Sequence, residues 1–382
     1  MELSRLSKPC ERFLITYRLF GNEEEVFAKA KDICIEQTIE FPEEYIPHQF
    51  IKEHIVGRIK SIEASNDHSF LAVISYPVDA AAQELTQLLN VIFGNISIKP
   101  GIRVEHIELP AKLLNQFKGP RFGVKGLRKL LGVEKRPLLF TALKPMGLTS
   151  KELAKLAYQF ALGGIDIIKD DHGLSNQTFS PFEERVKLCA EAVHKANKET
   201  GNHAIYVANI TASAGEVRKR AEFAKTAGAE GVLISPGLTG WDMMREVAED
   251  EAIALPVICH PAFLGSFVMG EGGISHHALF GQMVRLAGAD ATIYPNFGGR
   301  FSFSRAECEG IVGATHYPMG HLKPILPCPA GGMSLANIPE AYQFYGKDVA
   351  FLIGGGLFKK GPNLIDNSRY FSELVESLTQ AE

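Results

Sequence analysis

Eight short apolar, β-branched runs recur along the last two thirds of this chain, and they constrain its fold more than any other feature. They are Leu138–Leu143, Ile165–Ile168, Ile205–Ile210, Gly231–Ile234, Val257–Cys259, Ala291–Tyr294, Ile325–Cys328 and Val349–Ile353, with starts 24 to 40 residues apart. Runs of this length, apolar throughout rather than alternating, read as strands buried on both faces. Between them lie amphipathic stretches such as SKELAKLAYQFAL, ERVKLCAEAVHKANKET and EVRKRAEFAKTAG. Thr149 and Glu152 have the spacing of a capping box at the head of the first. Strands separated by helices pair in parallel, because each crossover needs a helix. Eight such units in about 245 residues match a closed (β/α)8 barrel. An open doubly wound sheet is the alternative, but no GxGxxG follows the first strand.

The first ~125 residues read differently. Phe13–Phe20 and Phe70–Tyr76 are strand candidates, and Ala80–Ile92 carries apolar residues at helical spacing. Forty Lys and Arg against 44 Asp and Glu leave a net charge of −4, which excludes a strongly basic nucleic-acid binder. The opening MELSRLSKPCER is too charged for a signal peptide, and no apolar run approaches the ~18 residues of a membrane span. The six cysteines (Cys10, Cys34, Cys189, Cys259, Cys308, Cys328) contain no CxxC pair. They read as reduced, partly packed residues rather than a disulfide frame or zinc site. The expectation is a cytoplasmic protein with neither nucleic acid nor membrane as partner.

Catalytic groups of such a barrel stand at the carboxyl ends of its strands. In chain order these ends read Lys144-Pro145-Met146-Gly147, Lys169-Asp170-Asp171-His172, Asn209-Ile210-Thr211, Ser235-Pro236-Gly237, His260-Pro261, Tyr294-Pro295-Asn296, Ala330-Gly331-Gly332 and Gly354-Gly355-Gly356. Two lysines, two aspartates and two histidines therefore converge on one rim, although caps and turns also use Asp, Asn, Gly and Pro. Strand alternation sends Lys169 and Asp171 to one face, with His172 turning in as the strand ends. Lys169 is either an ion-pair residue or, when neutral, an amine that takes up carbon dioxide to form a carbamate able to ligate a hard cation. The glycine runs after the seventh and eighth strands are either plain tight turns or a phosphate cradle of backbone N–H groups. Lys359-Lys360 nearby reads first as a solvated pair and otherwise adds charge to such a cradle.

At this point the text GGIDIIKDDHGLSNQTFSPFEERV, with TALKPMG upstream and ANIT downstream, resembles the large chain of ribulose-bisphosphate carboxylase (RuBisCO). FGN near residue 94, GPRFGVKGLRKLLG, HPAFLGSF and GISHHALFGQMVRLAGAD extend the resemblance over nearly the whole chain, and it is closer to the non-carboxylating RuBisCO-like (type IV) proteins. The resemblance implies an α/β architecture: an N-terminal α+β (ferredoxin-like) domain at 1–125, then the (β/α)8 barrel at 126–382. It also implies a homodimer, or a higher oligomer of dimers, with shared active sites. It makes Lys144 the first catalytic lysine, Lys169 the carbamylated lysine, Asp171 a carboxylate ligand of Mg2+ and His260 the histidine closing the fifth strand. Gly331, Gly332, Gly354 and Gly355 match the phosphate loops. Asn95 and Glu36 match residues that reach into the neighbouring subunit's site.

The departures bear on the reaction. The family's second metal-binding carboxylate is His172 here, which removes one charge and one hard oxygen ligand, weakening Mg2+ or favouring another divalent ion. The second lysine of the carboxylase KPK motif is Met146, and the serine before the seventh-strand glycines is Ala330. The histidine after the sixth strand is Tyr294, and Arg300 is the cation near the position of the loop lysine; both stand as substrate-binding candidates. Carboxylation of ribulose bisphosphate is therefore not expected. The remaining groups suit enolisation or isomerisation of a phosphorylated ketose, such as a methylthioribulose phosphate of methionine salvage, through a metal-stabilised enediolate. Lys144 and His260 are candidates for base and acid, in an order the sequence leaves open. Phe263, Leu264, Phe267 and Phe297 are equally an apolar pocket for a methylthio group or core packing. Two other readings stand beside this one: decarboxylation or C–C hydrolysis of a branched oxo-sugar-acid phosphate, and a non-catalytic regulatory protein.

Overall fold

The computed structural model describes residues 11–66, 68–299, 301 and 303–380. Among these, the chain first forms strands β1 (Arg12–Phe20), β2 (Arg58–Asn66), β3 (Ser69–Pro77) and β4 (Ile102–Glu108). There follow β5 (Leu138–Leu143), β6 (Ile167–Asp170), β7 (Ile205–Asn209), β8 (Gly231–Ile234), β9 (Val257–Cys259), β10 (Gly273–Ile274), β11 (Ala291–Pro295), β12 (Leu326–Ala330) and β13 (Ala350–Ile353). The chain divides into two compact units. The first takes the residues up to Phe117 with Leu264–Met283 and Pro318–His321; the second takes Lys118–Phe263, Val284–Tyr317 and the residues from Leu322 on.

The first unit is built on a sheet of order β10-β4-β1-β3-β2. Strict alternation along β1 buries Phe13, Ile15, Tyr17 and Leu19 on one face. Helix Glu23–Glu36 buries Val26, Ala30, Ile33 and Cys34, an i, i+4, i+7, i+8 stripe, and starts on an Asn22–Glu25 capping box. Both strand candidates in this region form. The helical stretch expected over Ala80–Ile92 is interrupted. Ala82 and Gln83 take φ of +49° and +61°, which a right-handed helix cannot include, so a short 3-10 turn (Val78–Ala81) precedes helix Leu85–Phe93.

The second unit contains a closed parallel barrel of order β11-β12-β13-β5-β6-β7-β8-β9, completed by β9 pairing with β11. All eight expected strands form. Phe140, Ile167, Val207, Leu233, Ile258, Ile293, Cys328 and Leu352 belong to one buried cluster, joined by Val124, Leu127 and Leu131 of helix Gly123–Leu131. Helix Ser150–Leu162 carries the expected Thr149–Glu152 capping box. The second strand starts two residues late, because Ile165 N still bonds to Phe160 O and closes the preceding helix. Asp166 is then pinned by a two-pronged Arg136 contact at 2.7 and 2.8 Å and by the Leu139 amide at 2.7 Å. The shift puts Lys169 and Asp170 inside the strand.

The five cysteines in the described residues are free and buried, and Cys10 lies outside the described residues. Among the described residues no helix is long and apolar enough to cross a membrane.

Candidate active site

Alternation along β6 decides which side chains reach the barrel mouth. Ile167 belongs to the buried cluster, so Lys169 continues that inward face while Asp170 points outward between strand and helices. Asp170 is fully buried there. It accepts hydrogen bonds from Arg185 Nε at 3.2 Å, from the Tyr206 hydroxyl at 2.7 Å and from Asn209 N at 3.1 Å. Arg185, also fully buried, donates to the carbonyls of Ser180 and Ser175, each at 2.7 Å. Asn209 donates to the carbonyls of His172 and Leu174 at 3.0 and 2.8 Å, fixing the turn just beyond the strand. Arg185 does not figure among the residues expected from sequence, and Asn209 figures there only as a strand end, without its role in fixing this turn.

Asp171 then turns to the rim. Its Oδ1 lies 3.0 Å from Lys144 Nζ and 3.4 Å from His172 Nδ1. The His172 ring stacks on His260, with centroids 4.5 Å apart and planes 16° apart. Lys144, Asp171, His172 and His260 thus form one continuous chain of contacts across the ends of β5, β6 and β9. Burial opposes the charge on Asp171, yet the hydrogen bond from His172 and the lysines 169 and 144 hold its carboxyl well below the usual carboxylate range. Burial, followed by the positive charge of Lys169, His172 and Lys144, pushes the His260 imidazole well below the ordinary histidine range, against a smaller opposite pull from Asp171. His260 is therefore neutral near pH 7. Its Nδ1 accepts from Ala262 N at 3.1 Å, which leaves the proton on Nε2.

Lys169 is fully enclosed and donates to its neighbour's carbonyl, Asp170 O, at 3.0 Å. Burial lowers its pKa to about 8, with Lys144 adding to the effect and Asp171 and Asp170 opposing it. Such an amine holds a substantial neutral fraction near physiological pH. As an ammonium ion it would repel a divalent cation from Asp171, whereas as a carbamate it would add oxygen donors to the Asp171 carboxylate and His172 Nδ1. The carbamate and Asp171 oxygens fit a hard divalent cation in that second form, while the His172 imidazole beside them is a softer ligand that binds only through a ring nitrogen free of its proton.

The two glycine runs differ in physical cause. Gly331 and Gly332 have φ of +85° and +99°, and a Cβ on the facing Gly299 would stand 2.2 Å from Gly331 O. The turns after β11 and β12 are thus pressed together. At Gly354 and Gly355 an added Cβ would meet nothing within 4 Å, so the backbone there faces open space at the end of β13.

Tyr294 does not join this set. Ile293 faces the barrel interior, so Tyr294 points the opposite way; it is fully buried and interacts with Tyr345 and Cys308 of the outer helices. Its expected contact with substrate at the rim is corrected accordingly. Phe297 likewise packs on Phe344 and Tyr345, at 4.8 and 6.2 Å between centroids, which is core packing. Arg300 lies outside the described residues. In the first unit, Asn95 Nδ2 donates to Glu36 Oε1 at 3.1 Å and to Glu40 Oε1 at 3.2 Å, so the two residues expected to act together are adjacent.

Residues 123–361 match the model of the ribulose bisphosphate carboxylase large chain, catalytic domain. The chain belongs to the RuBisCO large-chain family. Within it, the chain is 38% identical to ribulose bisphosphate carboxylase-like protein 1 of Rhodopseudomonas palustris, over 96% of this chain and 98% of that protein. It is 36% identical to 5-methylthioribulose-1-phosphate isomerase of Rhodospirillum rubrum, over 94% and 95%. The crystal structure of a RuBisCO-like protein from Rhodopseudomonas palustris superposes with a TM-score of 0.88 at 37% identity, covering 97% of this chain and 99% of that one.

Proposed function

We propose that this RuBisCO-like protein is an enzyme that enolises or isomerises a phosphorylated methylthio-ketose, such as 5-methylthioribulose 1-phosphate, and does not carboxylate ribulose bisphosphate. The observation that carries this reading is the contact chain Lys144–Asp171–His172–His260, which sets an amine and a neutral imidazole on one rim. Enolisation needs a proton removed beside a carbonyl and another delivered to an oxygen or carbon of the same substrate. His260, with its proton on Nε2, serves as donor. Lys144, 3.0 Å from Asp171, is the other proton-moving group: it takes the substrate proton after giving its own to solvent, since the ammonium has no lone pair to offer. The open backbone at Gly354 and Gly355 holds the phosphate, anchoring the substrate away from the reacting carbons. Lys169 as a carbamate, Asp171 and His172 would hold Mg2+ or another divalent cation, which supplies Lewis-acid polarisation of the carbonyl. The similarity to the Rhodospirillum rubrum isomerase supports the choice of substrate.

We further read Asn95 and Glu36 as substrate-binding residues supplied to the barrel of a partner subunit in a homodimer. The test of the reaction is incubation with 5-methylthioribulose 1-phosphate in D2O, with Mg2+ and bicarbonate, followed by NMR. Deuterium at the carbon beside the carbonyl, with an isomeric product, is expected. Turnover of 2,3-diketo-5-methylthiopentyl 1-phosphate alone would replace isomerisation by an enolase reaction, the activity named for a relative in Geobacillus kaustophilus that is 31% identical. Exchange with neither sugar would overturn this reading and leave C–C cleavage of a branched oxo-sugar-acid phosphate or a non-catalytic protein.

A further inference from the structure

In the first unit, β10 and the residues after it run beside β4. Ile274 pairs with Val104, Ser275 N donates to Val104 O at 2.8 Å, and the Ser275 hydroxyl donates to Glu105 O at 2.9 Å. The Gln282 side chain brackets Ile107, accepting from its N–H at 2.9 Å and donating to its carbonyl at 2.8 Å. These bonds hold two histidines, one on each segment, in contact across 171 residues of chain. His106 Nδ1 lies 3.1 Å from His277 Nε2, with ring centroids 5.2 Å apart and planes 49° apart. The other ring nitrogen of His106, Nε2, faces Glu108 Oε1 at 3.9 Å.

Two imidazole nitrogens bound to one tetrahedral ion at about 2.0–2.1 Å stand about 3.3 Å apart. The observed separation is within a few tenths of an ångström of that value, and the backbone ladder already fixes both rings. We propose that His106 and His277 form a binding site for a divalent transition ion of borderline softness, namely Zn2+, Ni2+ or Cu2+. Imidazole nitrogen suits these ions, whereas Mg2+ prefers oxygen and is not expected here. Glu108 lies on the Nε2 side of His106, and the tautomer with its proton on that side offers the Nδ1 lone pair to the ion. His277 then donates from Nε2 in the ion-free pair. Moving that proton to its own Nδ1 frees the second lone pair, so the neutral pair binds an ion without net proton loss. Among the described residues no group of three or more His, Cys, Asp or Glu side chains forms a metal cage, so water completes the shell and the ion is exchangeable. Such an ion would fasten the segment 273–282 to β4.

Ni2+ titrated into the full-length protein by calorimetry, in buffer containing Mg2+, tests the site. A binding event that is lost in both His106→Gln and His277→Gln, and kept in His172→Gln, is expected. Glu108→Gln should weaken binding about 10- to 100-fold. Ni2+ should raise the melting temperature of the wild type and of His172→Gln but not of the other two histidine variants. Electron paramagnetic resonance of Cu2+ on the wild type should show coupling to two imidazole nitrogens, a readout that needs no variant to fold. Wild-type affinity in His106→Gln or His277→Gln, or a Cu2+ spectrum without two nitrogens, overturns the proposal.

Discussion

Asp170 and Asp171, neighbours in the chain, place their carboxylates on opposite sides of the barrel wall: Asp170 on Arg185 among the helices, Asp171 on Lys144 at the mouth. Alternation sends Asp170 outward and the strand ends there, so Asp171 turns to the mouth, and one KDD sequence supplies both a structural anchor and a carboxylate at the rim. The two ion pairs also differ in solvent access. Both partners are fully buried in the first, while Lys144 is 41% exposed in the second.

Arg185→Met should therefore destabilise the protein by about 3–5 kcal/mol, because it leaves the buried Asp170 carboxylate without its cation and the Ser180 and Ser175 carbonyls without their donor. Lys144→Met should change stability by less than about 1 kcal/mol, since its pair is screened by water. Activity should respond the other way in proportion: Lys144→Met is inactive at full stability. Urea unfolding alongside single-turnover assays separates the two. Equal stability loss in both variants would contradict the division of roles.

The glycine loops give a second contrast. Gly299→Ala would push a methyl against Gly331 O and should cost about 1–3 kcal/mol of stability, read as a lower melting temperature. At Gly355 an added Cβ meets nothing within 4 Å, so Gly355→Val should change the melting temperature far less than Gly299→Ala while raising KM for the phosphorylated substrate. If the unphosphorylated sugar reacts equally well, the phosphate reading of Gly354 and Gly355 is wrong.

What could be read from the sequence follows from burial. The eight barrel strands stood out because both faces of each are covered, leaving uninterrupted apolar runs. In contrast, β2 (RIKSIEASN) pairs only with β3 and is mostly exposed, so its text carries no strand signal. The rim residues Lys144, Lys169, Asp171 and His260 were legible because strand ends punctuate the pattern. Arg185 was not, since an arginine within an amphipathic helix reads as solvated until Asp170 is found opposite it. Tyr294 misled for a related reason: position at a strand end was visible, but the face it takes depends on the register set by Ile293.

Subunit sharing has its own test. Asn95 and Glu36 belong to the first unit and Lys144 to the second. If the first unit of one subunit serves the barrel of another, Asn95→Ala and Lys144→Ala are each inactive alone. A mixed dimer then has one site with both lesions and one with neither, so about half of wild-type activity should return. Tandem purification on two different tags isolates the mixed dimer. No recovery in it would mean that both residues serve one subunit.

Carbamylation of Lys169 has a pH signature. Carbon dioxide reacts only with the neutral amine, and the folded protein brings the pKa of Lys169 from the ordinary 10.5 to about 8. The depressed value means that the neutral fraction grows as pH rises through 8: about one tenth at pH 7 and about nine tenths at pH 9. Uptake of 13C-bicarbonate, followed as a carbamate carbon by NMR in the presence of Mg2+, should therefore rise steeply between these limits. An unburied lysine would show that rise about 2.5 pH units higher. Lys169→Arg, whose side chain stays charged, should show no carbamate signal and no bicarbonate activation. His172→Glu should tighten Mg2+ binding by adding a hard oxygen donor beside Asp171, which calorimetry with bicarbonate present would read directly. Activity that is indifferent to bicarbonate, to chelator and to Lys169→Arg would reduce Lys169 to a buried partner of Asp170 O and leave Lys144 with His260 as the proton-moving pair.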